Sequence, residues 1–305
     1  MTPRRRAISP VISTMIITAA TLILVIGILG YSNSLFNNET QNAEFSQAQT
    51  TFLSLADDID SVATRQGASA YVLLNSRSGG PSWSPSIDNL VVTVNINGTS
   101  GQPNWVYTVI SGNVNSLLYR AGSGVGTVNS TLRGNNTYSI LNNVYPMGLV
   151  NVTQHNGAYV SLDYDRIGIV DLGYLNVSTG VDPSLPHTNH TAWDYIHLIQ
   201  ISFVNLTFGG VQGGGKYISA TNTFLNVTYY RLNFTGSISG ISYGLQVNIT
   251  HSSSALLSGN YTYIQICPPY ALDADTYPPG GAAVNMSVAT VVEVIQPVIN
   301  VTFLG

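Results

Sequence analysis

The chain has 305 residues, of which 44% are hydrophobic and only 8% charged, with a net charge of −4 and a single lysine, Lys216. That length and apolar content allow one large or two ordinary domains with an ample core. The charged fraction stands against roughly 25% in an ordinary soluble protein, and the absence of a basic patch excludes nucleic acid as a partner. A surface so poor in ions invites association unless something else covers it.

The first element is an apolar segment with an abrupt start. Arg4, Arg5 and Arg6 stand directly against a stretch without a charged side chain from Ala7 to Asn38. An ordinary secretory signal places its small-residue cleavage site beyond the apolar core. Here the plausible cut lies before the core, between Ala7 and Ile8, so cleavage would remove the arginines and leave the apolar segment on the product. Loss of those arginines takes the net charge to −7. Pro10 suits the first turn of a helix, where its missing N–H costs nothing, and Ser9 is a natural cap. About 24 residues at about 1.5 Å each give about 36 Å, enough to cross a bilayer. Ile12, Ile16, Leu22, Leu24, Ile26 and Leu29 make this segment apolar on every side, as in helices buried in lipid or in protein.

The run Arg6-Ala7-Ile8-Ser9-Pro10-Val11-Ile12, with the apolar helix to Tyr31 behind it, resembles the class III signal peptide of archaeal type IV pilin-like proteins. That family includes pilins, adhesion filaments and archaellins. The resemblance implies a signal peptide over residues 1–7, cleaved by a prepilin peptidase at Arg6, Ala7 and Ile8. It implies a mature helix over 8–66, whose 8–31 part forms a filament core with identical subunits. It also implies assembly machinery, a membrane-bound precursor and an extracellular filament on the cell surface. One position departs from the bacterial members, whose fifth mature residue is usually Glu; here it is Ile12. The alternatives are an archaellin, which is a motility filament subunit, and a surface binding protein anchored in the membrane that never polymerises. Arg4–Arg6 would serve that anchor as a cytoplasmic positive-inside signal.

Residues 33–42 are polar and poor helix formers, which predicts a kink or a melted turn. Phe45, Ala48, Phe52, Leu55, Ile59 and Val62 then recur at helical spacing opposite Glu44, Gln47, Asp57 and Asp60. The stripe predicts packing onto the chain's own globular domain, compatible with a seam between subunits. Gly67 is placed to end the helix. Residues 75–86 read as a Gly/Pro/Ser-rich connector. Strands are predicted over 90–96, 105–110, 148–153, 159–163, 196–208, 223–234, 243–250, 261–266 and 287–303, from Val, Ile, Thr and Tyr separated by turn residues. Longer loops are expected over 179–195 and 268–283. The fold class is therefore α+β, a long N-terminal helix followed by a mainly antiparallel β-sandwich head over 75–305.

Glycans are the expected cover for this surface. Fourteen Asn-x-Ser/Thr sequons occur, at Asn38, Asn97, Asn129, Asn135, Asn151, Asn176, Asn189, Asn205, Asn226, Asn233, Asn248, Asn260, Asn285 and Asn300. Eight have an apolar central residue, a pattern that strand alternation also produces by pointing Asn and Thr to water and the middle residue to the core.

Chemistry is sparse. Gly210 to Lys216 has phosphate-loop spacing, but Tyr217 follows where Mg²⁺ binding needs Ser or Thr, so a hairpin tip is expected. His187, His190 and His197 with Asp194 have the residue types for zinc but read as surface histidines. Asp163 with Asp165, and Asp273 with Asp275, read as strand-end and turn carboxylates. The lone Cys267 reads as a buried structural thiol. No nucleophile–base motif is present, so neither an enzyme nor a cofactor or metal is expected.

Overall fold

The computed structural model describes residues 10–74, 77–97, 106–134, 140–142, 148–154, 156–176, 195–209, 217–238, 243–251, 259–267 and 284–304. One long N-terminal helix leads into a mostly β domain built from two curled sheets. The helix, α1, runs unbroken from Pro10 to Ala63. The predicted kink over 33–42 is therefore corrected. Within this stretch Thr40 Oγ1 donates to the Phe36 carbonyl at 2.8 Å, so its hydroxyl is satisfied by the helix itself.

The strands are β1 (Ser69–Leu73), β2 (Gly80–Asn97), β3 (Val106–Arg120), β4 (Ser130–Arg133), β5 (Ile140–Asn142), β6 (Leu149–Gln154), β7 (Ala158–Asp163), β8 (Ile167–Asn176), β9 (Tyr195–Ser202), β10 (Asn205–Phe208), β11 (Tyr217–Ile238), β12 (Tyr243–His251), β13 (Gly259–Cys267) and β14 (Val284–Leu304). One sheet has the order β1-β11-β14-β9-β8-β5, with β10 also on β14; the other has the order β13-β12-β2-β3-β7-β6-β4. Pairing is antiparallel except for β9 and β10 on β14 and β5 on β8.

Three departures from the sequence reading have local causes. The supposed connector 75–86 is part of β2 from Gly80 on, paired as Gly80↔Arg120 to Ser84↔Ser116. An irregularity between Ser84 and Asp88 absorbs Pro85, and Ser86 takes a positive φ of 53°. Prolines in sheets are confined to such sites. The single strand read over 196–208 divides into β9 and β10 at Phe203 and Val204. Opposite the division in the register stand Gln296 and Pro297 of β14, and proline has no N–H to offer the ladder. β8 escaped notice because a bulge between Asp171 and Gly173 breaks its alternation; Gly173 has φ 78° and donates its N–H to Asp171 Oδ1 at 2.8 Å.

The core lies in two clusters. The first joins Phe45, Phe52, Leu55 and Ile59 of α1 to Leu117, Val160 and Leu162 of one sheet and Ile218, Ile299 and Val301 of the other. The second, without the helix, joins Leu90, Val92, Val94, Val247 and Ile249 to Ile169, Ile199, Ile201 and Val292. All six stripe residues of the helix are buried, so the stripe packs on the chain's own head as expected.

The helix ends at Ala63, four residues before Gly67. Gly67 has φ 79° and donates its N–H to the Asn222 carbonyl at 2.8 Å, turning the chain into β1. Asn222, fully buried on β11, closes the helix: its Nδ2 donates to the Val62 and Ala63 carbonyls at 3.0 and 3.2 Å. Asn222→Ala leaves those terminal carbonyls without these donors and should cost about 1–3 kcal/mol in denaturant unfolding. A loss below about 0.5 kcal/mol would mean that water replaces the amide.

Candidate functional site

The candidate functional element is the N-terminal half of α1. By length and composition it can cross a membrane, and none of its most apolar 18-residue stretch is buried in the head. Ile12, Met15, Ile16, Ile17, Leu22, Ile23, Leu24, Val25, Ile26, Ile28 and Leu29 are all exposed, with Ile23 at 71% and Val25 at 48%. The consecutive exposed run from Leu22 to Ile26 covers the whole circumference, so no face is reserved for water. Two of its threonines satisfy their hydroxyls within the helix. Thr18 Oγ1 donates to the Thr14 carbonyl and Thr21 Oγ1 to the Ile17 carbonyl, each at 2.8 Å. A hydroxyl satisfied within its own helix can enter an apolar medium without losing a hydrogen bond.

Directly below, polar contacts fasten the helix to the head. The Gln41 Oε1 accepts the Gly124 N–H at 2.8 Å. A Cβ added at Gly122 or Gly124 would lie 2.6 Å from the Gln41 side chain or 2.4 Å from Asn38 Oδ1, so this loop needs glycine to approach the helix. Glu44 Oε2 accepts from the Ser78 N–H at 3.0 Å and the Ser78 hydroxyl at 2.6 Å. Slight burial works against its charge, but these hydrogen bonds prevail and hold the carboxyl below its usual range. Nearer the helix end, the Tyr164 hydroxyl donates to Asp60 Oδ1 and Arg133 Nη2 to Asp60 Oδ2, both at 2.7 Å, with Asp57 Oδ1 at 2.9 Å from the same nitrogen. Burial nevertheless pushes the Asp60 carboxyl upward. The outer half of α1 thus projects from a socket that grips the inner half by packing and by charge.

Residues 6–8 of the expected cleavage junction lie outside the described residues, while Ile12, Ile16, Leu22, Leu24, Ile26 and Leu29 all lie on the projecting segment. The sequons divide by exposure. Asn38, Asn129 and Asn226 are exposed; Asn205, Asn248 and Asn300 are half-buried, with their central apolar residues buried as strand alternation predicts. Asn151 is corrected as a glycan site: it is 4% exposed, and its Nδ2 is enclosed without a hydrogen-bond partner among the described residues. A buried amide has no room for a sugar in the folded head. The side chains of Asn97, Asn176, Asn233, Asn260 and Asn285, and all of Asn135 and Asn189, lie outside the described residues. So do Gly210 to Lys216, His187, His190, Asp194, Asp273 and Asp275, and the side chains of His197 and Cys267.

Asp163 ends β7 and Asp165 lies in the passage that follows, as the strand-end and turn reading expects, but the pair is not at the surface. Both residues are buried, at 5% and 3% exposure, in the passage from β7 to β8 that carries the chain from one sheet to the other. Asp88 of β2 and His251 at the end of β12 are buried beside Asp165: His251 Nδ1 lies 2.5 Å from Asp88 Oδ2 and 3.2 Å from Asp165 Oδ1. Burial opposes a proton on His251, but the two carboxylates outweigh it and raise the imidazole above its ordinary range. Arg166, 1% exposed, completes the group. Sequence reading missed this cluster because Asp88 sits behind the irregularity in β2 and His251 closes an otherwise ordinary amphipathic strand.

An open groove of about 840 Å³ runs between residues 78–82, 120–125 and 154–159, with the Arg120 guanidinium 5.9 Å from the centre of the Tyr159 ring. Among the described residues its lining carries neither carboxylate nor imidazole. Comparison with protein-family profiles, with characterised proteins and with solved structures yields no match to this chain.

Proposed function

We propose that the chain is a structural subunit of an archaeal type IV pilus-like or adhesion filament. The projecting half of α1 packs with the same segment of neighbouring copies, and the head, read as a β-sandwich, forms a glycosylated outer surface. The observation that carries this reading is the division of one unbroken helix. Its inner half is sealed into the head core, and its outer half is apolar all round, with its most apolar stretch unburied by any described residue.

The energetics suit such a part. Hiding about 100 Å² on each exposed apolar side chain is worth about 2.5 kcal/mol, a total on the order of 30 kcal/mol against water. Lipid and helix partners are similarly apolar, so transfer from membrane to filament is nearly neutral in this term, while escape to water is prohibited. A membrane-held precursor, machinery to extract it and a robust fibre all follow. The Arg-Arg-Arg-Ala-Ile junction supplies the step that converts one state to the other, by a prepilin peptidase acting between Ala7 and Ile8.

The test is mass spectrometry of the native N-terminus together with electron microscopy of sheared cell-surface material. An Ile8 start on a protein recovered in fibres is the expected result. An intact Met1 on a membrane monomer overturns it in favour of a non-polymerising anchor. Loss of swimming on deletion would assign the fibre to motility, making the chain an archaellin.

A further inference from the structure

The buried cluster where β2, β12 and the β7–β8 passage meet has no part in assembly through α1. Asp88, Asp165 and His251 each offer one ligand atom, and these atoms all lie within 4.8 Å of one another. We propose that these three residues bind a divalent transition-metal ion that pins the two sheets of the head together.

The donors fit such an ion. One imidazole nitrogen with carboxylate oxygens suits zinc and its neighbours, which accept mixed nitrogen and oxygen ligands at about 2.0–2.2 Å. Two ligands of one tetrahedral ion stand about 3.3–3.5 Å apart at those bond lengths, close to the 3.2 Å between His251 Nδ1 and Asp165 Oδ1. The contact of His251 with Asp88 opens by somewhat under 1 Å to admit the ion. Calcium, by contrast, takes six to eight oxygens, more than this enclosed set presents.

Charge points the same way. Metal binding needs His251 neutral, and a divalent cation would then take the place of the imidazolium charge beside the buried carboxylates of Asp88 and Asp165. Asp163 adds an observation independent of the three ligands: its Oδ1 is enclosed and finds no hydrogen-bond partner among the described residues.

The position explains what the ion would do. Asp88 and His251 belong to neighbouring strands of one sheet, paired as His251↔Leu90 beside Asp88. Asp165 lies where the chain leaves that sheet for the other through β8. The single cysteine excludes an internal disulfide, so the ion would act as the cross-link in its place.

Full-length chain in detergent, stripped with EDTA, is titrated with Zn²⁺, Mn²⁺ or Ca²⁺. One Zn²⁺ per chain is expected, raising the melting midpoint of the head by roughly 5–10 °C at a hundredfold excess over Kd. Ca²⁺ should leave the midpoint unchanged. His251→Asn should weaken Zn²⁺ binding at least 100-fold, whereas His187→Asn with His190→Asn should leave it intact. X-ray absorption of the wild-type zinc form needs no variant and should show a single imidazole ligand, so the test survives if His251→Asn fails to fold. Absence of stoichiometric Zn²⁺ binding, two or more imidazoles on the ion, or loss of binding in the His187/His190 variant overturns the site.

Discussion

Phe52→Ala is expected to destabilise the head by about 3–5 kcal/mol, the range for removing a buried aromatic ring from a close-packed core. Phe52 is fully buried, on the helical stripe that joins both sheets in one cluster. The neighbours that would have to collapse into the space come from two sheets and a helix, each held by its own backbone pairing. Partial relaxation, and hence a cost near the upper end, follows from that arrangement. Ile23→Ala, on the same helix at 71% exposure, serves as the contrast and should move the unfolding midpoint of the detergent-held chain hardly at all. Denaturant titration followed by tryptophan fluorescence reads both. Equal effects from the two substitutions would mean that α1 is not divided into a socketed and a projecting half.

The same division shows how much of the molecule was readable from its residues. Helical spacing of Phe45, Ala48, Phe52, Leu55, Ile59 and Val62 marked the buried face because a 3.6-residue period leaves a pattern on one chain segment. The long strands β11, β12 and β14 were visible for the analogous reason. What stayed hidden depended on distant partners. The polar stretch 33–42 reads as helix-breaking by propensity alone, yet it stays helical between an apolar segment and a socketed one, with Gln41 and Glu44 satisfied by Gly124 and Ser78. Local preference is a weak prior once flanking structure fixes the backbone. The Asp88–Asp165–His251 group spans 163 residues of sequence from Asp88 to His251, and no spacing rule connects positions brought together by sheet topology. The sequons were legible as motifs, but Asn151 shows that a motif on a strand does not say which face the asparagine occupies.

The largest pH effect should come from Asp163. Burial is the principal cause, reinforced by the neighbouring Asp165 carboxylate and opposed by Arg166, and it pushes the Asp163 carboxyl up to about 7. In the unfolded chain the same group titrates near 3.9. Between those values the folded protein keeps a proton that the unfolded chain has released, so rising pH favours unfolding. The Asp163 contribution to stability in chelator-treated protein should therefore fall from about pH 4 to about pH 7 and then level off. That drop should be on the order of 4 kcal/mol, since each pH unit across such a window is worth about 1.4 kcal/mol. His251 adds to the fall in the same direction, because its proton is also held more tightly in the folded state and is lost as pH rises through the raised value. Asp163→Asn keeps the shape and removes the charge that must be buried. It should match the wild type near pH 4, exceed it at pH 8 by a few kcal/mol, and retain the smaller slope that His251 and the raised Asp60 carboxyl contribute. Urea unfolding at pH 4, 6 and 8 with EDTA present measures all three. A wild type whose stability is level, or rises, across that range would show that the Asp163 carboxylate is ionised and well paired in the folded head.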